Sequence, residues 1–143
     1  MNQLDSTAVQ DCRFCTAIAS RIIASNDLAI AVRDMFPATP LHSLVIPRRH
    51  VVDFFGLTPE EREACAELLQ QLRQDILAED PKVEGFNIGM NVGEVAGQTL
   101  FHSHIHLIPR RRGDSPNPRG GVRLVVPGGH RKLDVCPFSK ADE

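Results

Sequence analysis

The stretch GQTLFHSHIHLIPRRR, residues 97–112, sets a histidine at every second position, His102, His104 and His106, with Ser103, Ile105 and Leu107 in step around them. This alternation is the pattern of a β-strand, whose successive side chains point to opposite faces. The three imidazoles are therefore expected on one face and the apolar residues on the other. At about 3.3 Å per residue, His102 and His104 would lie about 6.6 Å apart along such a strand, and His102 and His106 about 13 Å apart. With ligand bonds of about 2.0 Å, histidines at i and i+2 can share one zinc ion, whereas i and i+4 are too spread out. The three rings are thus expected to hold different jobs. A purely structural strand would press three polar rings against a core without evident partners, at a cost in free energy.

Working outward, residues 86–92 alternate Phe86, Ile88 and Met90 with Asn87, Gly89 and Asn91, a half-buried strand that a loop over 93–97 leads into the histidine strand. The apolar runs 28–33 and 42–47 read as two further strands, with Pro37 and Pro40 making the turn between them. The clearest helix starts at Thr58. Thr-Pro-Glu-Glu supplies an N-cap, a proline at the first helical position and Glu61 as the return arm of a capping box. From there to about Ala78, the residues Leu68, Leu69, Leu72, Ile76 and Leu77 form one stripe, expected to cover a sheet face. Phe14, Ala17, Ile18 and Ile22 suggest a short amphipathic helix over 12–23, and 122–126 a short apolar strand. The connections between the last strands are too short for helical crossovers, so the pairing is expected to be antiparallel and the fold class α+β.

At 143 residues the chain fits one domain. It is expected to comprise a polar leader over 1–11, a domain over 12–110, and a basic, turn-rich extension of that domain over 111–143. A formal net charge of -2 gives no electrostatic case for general nucleic-acid binding, so any phosphate recognition must be local. No stretch approaches the roughly 20 apolar residues of a membrane span, and the first residues lack the basic and apolar regions of a signal peptide. A cytoplasmic location is expected. There a Cys-x-x-Cys pair such as Cys12 and Cys15 reads as metal-binding or redox-active, while Cys65, within the helical stripe, and Cys136 read as structural.

His-x-His-x-His followed by two apolar residues and preceded by Gly-Gln-Thr resembles the histidine triad (HIT) family of nucleotide hydrolases and transferases. The resemblance implies a five-stranded antiparallel sheet with two main helices, paired into a homodimer. It makes His104 the nucleophile that attacks a nucleotide's α-phosphate, with a backbone carbonyl behind its other ring nitrogen, and places His42 nearby as a supporting histidine. His106 would hydrogen-bond the phosphate or its bridging oxygen. Asn91, Gln98 and Thr99 match the polar residues around the α-phosphate and leaving group, although Thr99 stands where serine is common. Asp34 matches the ribose-hydroxyl acceptor, with Phe14, Val32 and Met35 lining the base pocket. Core packing would explain those last three equally well, whereas a carboxylate at Asp34 has no packing reason to be there.

A branch of the same family holds structural zinc through a Cys-x-x-Cys pair, a histidine after the Pro-x-x motif and the first histidine of the triad. Here those are Cys12, Cys15, His50 and His102. Four protein ligands leave no open position, so the ion would be structural, and no catalytic metal is expected. The alternative is a pair of reduced buried thiols. The substrates implied are dinucleoside polyphosphates or nucleoside phosphoramidates. Five arginines at 110–112, 119 and 123 could reach a distal phosphate, or could simply form a solvated basic turn. A reading from another class is a zinc-stabilised nucleotide-binding or partner-binding module without turnover.

Overall fold

A computed structural model describes residues 9–16 and 18–129. Most of the leader and Cys136 lie outside the described residues. The chain divides into two compact units, residues 1–111 and 112–143.

The first unit is built on a five-stranded antiparallel sheet, β1 (Ile22–Ser25), β2 (Ala29–Arg33), β3 (Ser43–Pro47), β4 (Val83–Gly89) and β5 (Ile105–Arg111), in the order β1-β2-β3-β5-β4. Two helices accompany it, α1 (Arg13–Thr16) and α2 (Pro59–Glu79). The start of α2 is as its sequence predicts. Thr58 accepts from the Glu61 amide while the Glu61 carboxylate accepts from the Thr58 amide, which satisfies two of the helix's orphan donors. The same carboxylate takes a forked bond from Arg49, so the chain leaving β3 is tied to the helix that covers the sheet.

The α2 stripe of Ala64, Cys65, Leu68, Leu72 and Ile76 packs on Ala29, Ala31, Val45, Ile105 and Leu107. The alternate residues Ile30, Val32, Leu44 and Ile46 turn to the other face and pack with Ile18, Ile22 and Phe14. Leu44 pairs with His106 across β3 and β5, so His106 shares the face away from α2. One side of the sheet is thus given to packing against a helix. The other carries this smaller cluster and, beside Leu44, the ring of His106.

Several expected boundaries move. The helix expected over 12–23 is one turn long, and Ile22 and Ile23 instead open β1, a strand that local periodicity hid. Four residues are too few to distinguish a 3.6 from a 2.0 repeat, and edge pairing with β2 decided the matter. The histidine strand begins only at Ile105, so His102 and His104 precede it. β4 starts at Val83 and ends at Gly89, which leaves Asn91 in the loop beyond. In the second unit, the apolar run expected as a strand is a 3-10 helix, Gly121–Val125, with exposed Val122, Leu124 and Val125. Among the described residues, no helix is long and apolar enough to cross a membrane.

Candidate functional site

Because β5 starts after His104, the three histidines do not stand in a row. They diverge into two clusters with His104 between. His102 is fully buried, and its Nε2 donates to the Pro47 carbonyl at the end of β3, 2.8 Å away. An imidazole whose Nε2 carries the proton has a lone pair on Nδ1. That Nδ1 lies 3.4 Å from Cys12 Sγ and 3.5 Å from Cys15 Sγ, and Cys15 Sγ is 3.3 Å from His50 Nδ1. Two thiols and two ring nitrogens thus gather within 4.8 Å of one another, a set that could hold a metal ion. Each arrives for a local reason. The turn of α1 brings both cysteines to one side, with the amides of Cys15 and Thr16 bonded back to the Cys12 carbonyl. His50 follows Arg49, itself held by Glu61, and the Ser103 amide docks onto the Val51 carbonyl.

His104 Nδ1 bonds the His102 carbonyl oxygen at 2.8 Å. A carbonyl only accepts, so the proton sits on Nδ1 and the Nε2 lone pair is left for bond formation. The Phe14 ring meets both His102 and His104 edge-on, at centroid distances of 5.7 and 5.3 Å.

The second cluster is His106, His42 and Asp34. His42 Nε2 lies 2.9 Å from His106 Nδ1, and Asp34 Oδ2 lies 3.5 Å from the first and 3.9 Å from the second. The His106 ring sits 5.2 Å from that of His104. Burial, together with the neighbouring His104 and His42, lowers the His106 pKa to about 4. Burial likewise lowers that of His42 against the opposing pull of Asp34. Both rings are therefore neutral at pH 7.

The remaining expected site residues fall into three groups. Gln98 is buried and fully engaged: its Oε1 accepts from the Gly93 amide, and its Nε2 donates to the carbonyls of Val52 and Leu100. It braces the loop before the histidines. Asn91 lies beside that loop, its Nδ2 3.5 Å from the Gly97 carbonyl, and Thr99 is exposed. Asp34 turns one oxygen to the Phe36 amide at 2.8 Å and the other toward the histidines. Met35 is exposed, whereas Val32 is wholly covered by the packing on its sheet face and so presents no surface to a ligand. The carbonyl that the resemblance implies behind His104 is that of His102, and the polar groups absent from the sequence reading are two further backbone ones, the Pro47 carbonyl and the Ala38 amide. No side-chain pattern signals them.

Comparison with known proteins agrees with this geometry. A HIT domain model matches residues 16–113. A HIT family protein from Bacillus anthracis of known structure is 38% identical, with a TM-score of 0.67 over 73% of this chain and 77% of that one. A Zn-bound histidine triad family protein from Mycobacterium smegmatis is 30% identical, with a TM-score of 0.66 over 87% of this chain and 96% of that one. An adenylylsulfatase from Arabidopsis thaliana is 32% identical over 114 residues, 76% of this chain and 57% of that relative. With the family model spanning most of the chain, and with the histidines of 102–106 set around a buried core of the same architecture, the chain belongs to the HIT family.

Proposed function

We propose that the protein is a nucleotide hydrolase or transferase that cleaves at the α-phosphate of a nucleotidyl substrate, a dinucleoside polyphosphate or a nucleoside phosphoramidate, through a nucleotidyl-His104 intermediate. The observation that carries this reading is the bond from His104 Nδ1 to the His102 carbonyl, which leaves a nucleophilic lone pair on Nε2 beside the neutral His106. In the first step, Nε2 attacks the α-phosphorus as the bond to the leaving group breaks and its electron pair departs with that group. The Nδ1 proton stays in place, and the His102 carbonyl stabilises the positive charge that the ring acquires. In the second step, water attacks the phosphorus from the opposite side and gives up a proton to solvent, the P–N bond breaks with its electron pair returning to Nε2, and a mononucleotide is released with neutral His104 restored. Asn91, Gln98 and Thr99 belong to the α-phosphate end, Gln98 by holding its loop. Asp34, Phe14 and Met35 belong to the nucleoside end, with Val32 beneath them as packing. The similarity to an adenylylsulfatase supports an adenylyl compound as substrate.

Cys12, Cys15, His50 and His102 are proposed as a structural zinc site. Two thiols and two imidazole nitrogens suit the ion's tetrahedral preference, and the diverted Nε2 proton of His102 leaves the nitrogen facing the thiols able to bind. Bound zinc would tie α1 to the segments carrying His50 and His102 and take no part in bond breaking. A homodimer belongs to the same proposal, on the strength of the family resemblance. Incubation of the purified protein with a diadenosine polyphosphate and, separately, an adenosine phosphoramidate, with the products identified, tests the reading. Release of AMP from either supports it. No mononucleotide from any of several such compounds sinks it.

A further inference from the structure

The loop between β2 and β3 carries both Asp34 and His42, and it is more tightly built than a connection needs. Its ends are closed by the Asp34 amide donating to the His42 carbonyl at 2.9 Å, and inside it the His42 amide donates to the Thr39 carbonyl at 3.1 Å. It is fastened to β5 by the Thr39 hydroxyl on the Pro109 carbonyl at 2.6 Å and by Arg111 on the Pro40 carbonyl at 3.0 Å. Leu41 takes a φ of 69°, the one positive φ among described residues that are not glycine. A bulky side chain is disfavoured there, so the surrounding contacts must over-determine the turn, and such strain collects where geometry serves a site.

What the strained turn delivers is the Ala38 backbone N–H, 2.9 Å from His42 Nδ1. An amide N–H cannot accept, so Nδ1 must be the bare nitrogen of a neutral ring and Nε2 must carry the proton. Nε2–H then donates to His106 Nδ1 at 2.9 Å, which puts the single proton of His106 on its own Nε2. The chain runs one way, from amide to His42 to His106. No other arrangement of protons on two neutral rings satisfies both distances.

We infer that the Ala38 backbone N–H is a positioning group for the reaction: by holding His42 as the Nε2–H tautomer, it makes His106 present Nε2–H to the atom that leaves the α-phosphorus. This rests on the function proposed above for His104. The His106 proton is not transferred, because only the single proton of His42 could replace it, and giving that up would leave His42 an anion. It hydrogen-bonds the electron pair gathering on the leaving atom, which takes its proton from solvent.

Ring-nitrogen NMR on the uniformly 15N-labelled, full-length protein tests the chain without any variant. Both His42 and His106 should appear with a protonated Nε2 and a bare Nδ1, and Ala38→Gly, which keeps the amide, should preserve that pattern. Ala38→Pro removes the N–H and should release His42 to populate Nδ1–H. It should then lower kcat on the order of a hundredfold for an AMP alkyl ester, a poor leaving group, but less than about threefold for AMP p-nitrophenyl ester. Protonated Nδ1 on His42 in the wild type, or equal losses on the two esters, would overturn the inference. If Ala38→Pro fails to fold, the wild-type spectrum alone decides. Turnover by a wild type lacking this tautomer pattern would sink the inference and leave the proposed function standing. The pattern without any turnover would sink the proposed function and the positioning role with it.

Discussion

The cluster around His102 and the cluster around His106 are built from the same ring, four residues apart in sequence, yet they are suited to opposite tasks. At His102 a backbone acceptor, the Pro47 carbonyl, draws the proton away from the thiols, so lone pairs converge on one point. At His106 a backbone donor, the Ala38 amide, pushes a proton along a line of rings, so that His42 Nδ1, His42 Nε2 and His106 Nδ1 are partnered and His106 Nε2 carries the last proton outward. Converging lone pairs suit a cation, and a proton-filled chain suits hydrogen bonding to an anion. His104 lies between, bonded through its Nδ1 to the carbonyl of the residue that faces the thiols. What separates these two histidines is the backbone group that ends each hydrogen-bonded line, the Pro47 carbonyl directly on His102 and the Ala38 amide one ring away from His106, not the residue itself.

The largest effect expected of any change is at the centre of this comparison. His104→Ala should lower kcat by at least about a thousandfold, because neither neighbouring histidine has a bare nitrogen toward the substrate: that of His102 faces Cys12 and Cys15, and that of His106 faces His42. Nucleotide binding, measured by calorimetry, should stay within a few fold. Binding that falls in step with turnover would mean that His104 serves recognition rather than bond formation.

Cys15→Ala should break the first cluster alone. A structural ion contributes folding free energy, so the melting temperature should fall by several degrees or more, and metal analysis should drop from about one zinc per chain toward none. The rate per folded molecule should change much less. His50→Ala should follow it. A wild type without zinc, whose melting is unaltered by a chelator, would return the four residues to ordinary thiols and imidazoles.

The smallest expected effect concerns pH and sharpens the second cluster. His106 titrates near 4 when folded, below the ordinary 6.5, because burial and the two neighbouring rings disfavour its charged form. Between about 6.5 and 4 the unfolded chain therefore binds the proton that the folded chain refuses. Stability from this group is complete above about 6.5 and is lost as pH falls through the window, on the order of 3 kcal/mol for the full span. His42 adds in the same direction. Melting followed from pH 7.5 to 4.5 should decline less steeply for His106→Asn than for the wild type. Any loss of metal in acid would be common to both chains and cancel in the difference. Equal slopes would remove His106 from the account.

How far the sequence reached can be seen element by element. It determined α2, because Thr58, Pro59 and Glu61 act on one another within four residues and the apolar stripe repeats over twenty-one. It determined the alternation of β5 from Ile105 onward, since parity is a local property, but not that His102 and His104 stand outside that strand. It could not place β1 or the 3-10 turn at Gly121–Val125, where runs of four or five residues leave the period undefined and pairing decides. Nor could it show that Val32 is sealed or that Gln98 spends its amide on Val52, because burial and partner are settled by chain packed from elsewhere. Cys12 meets His102 across 90 positions and His42 meets His106 across 64. Which nitrogen of each ring carries the proton was decided only by the tertiary structure, because the Pro47 and His102 carbonyls and the Ala38 amide that choose it are groups every such residue carries, made distinct only by where the folded chain sets them.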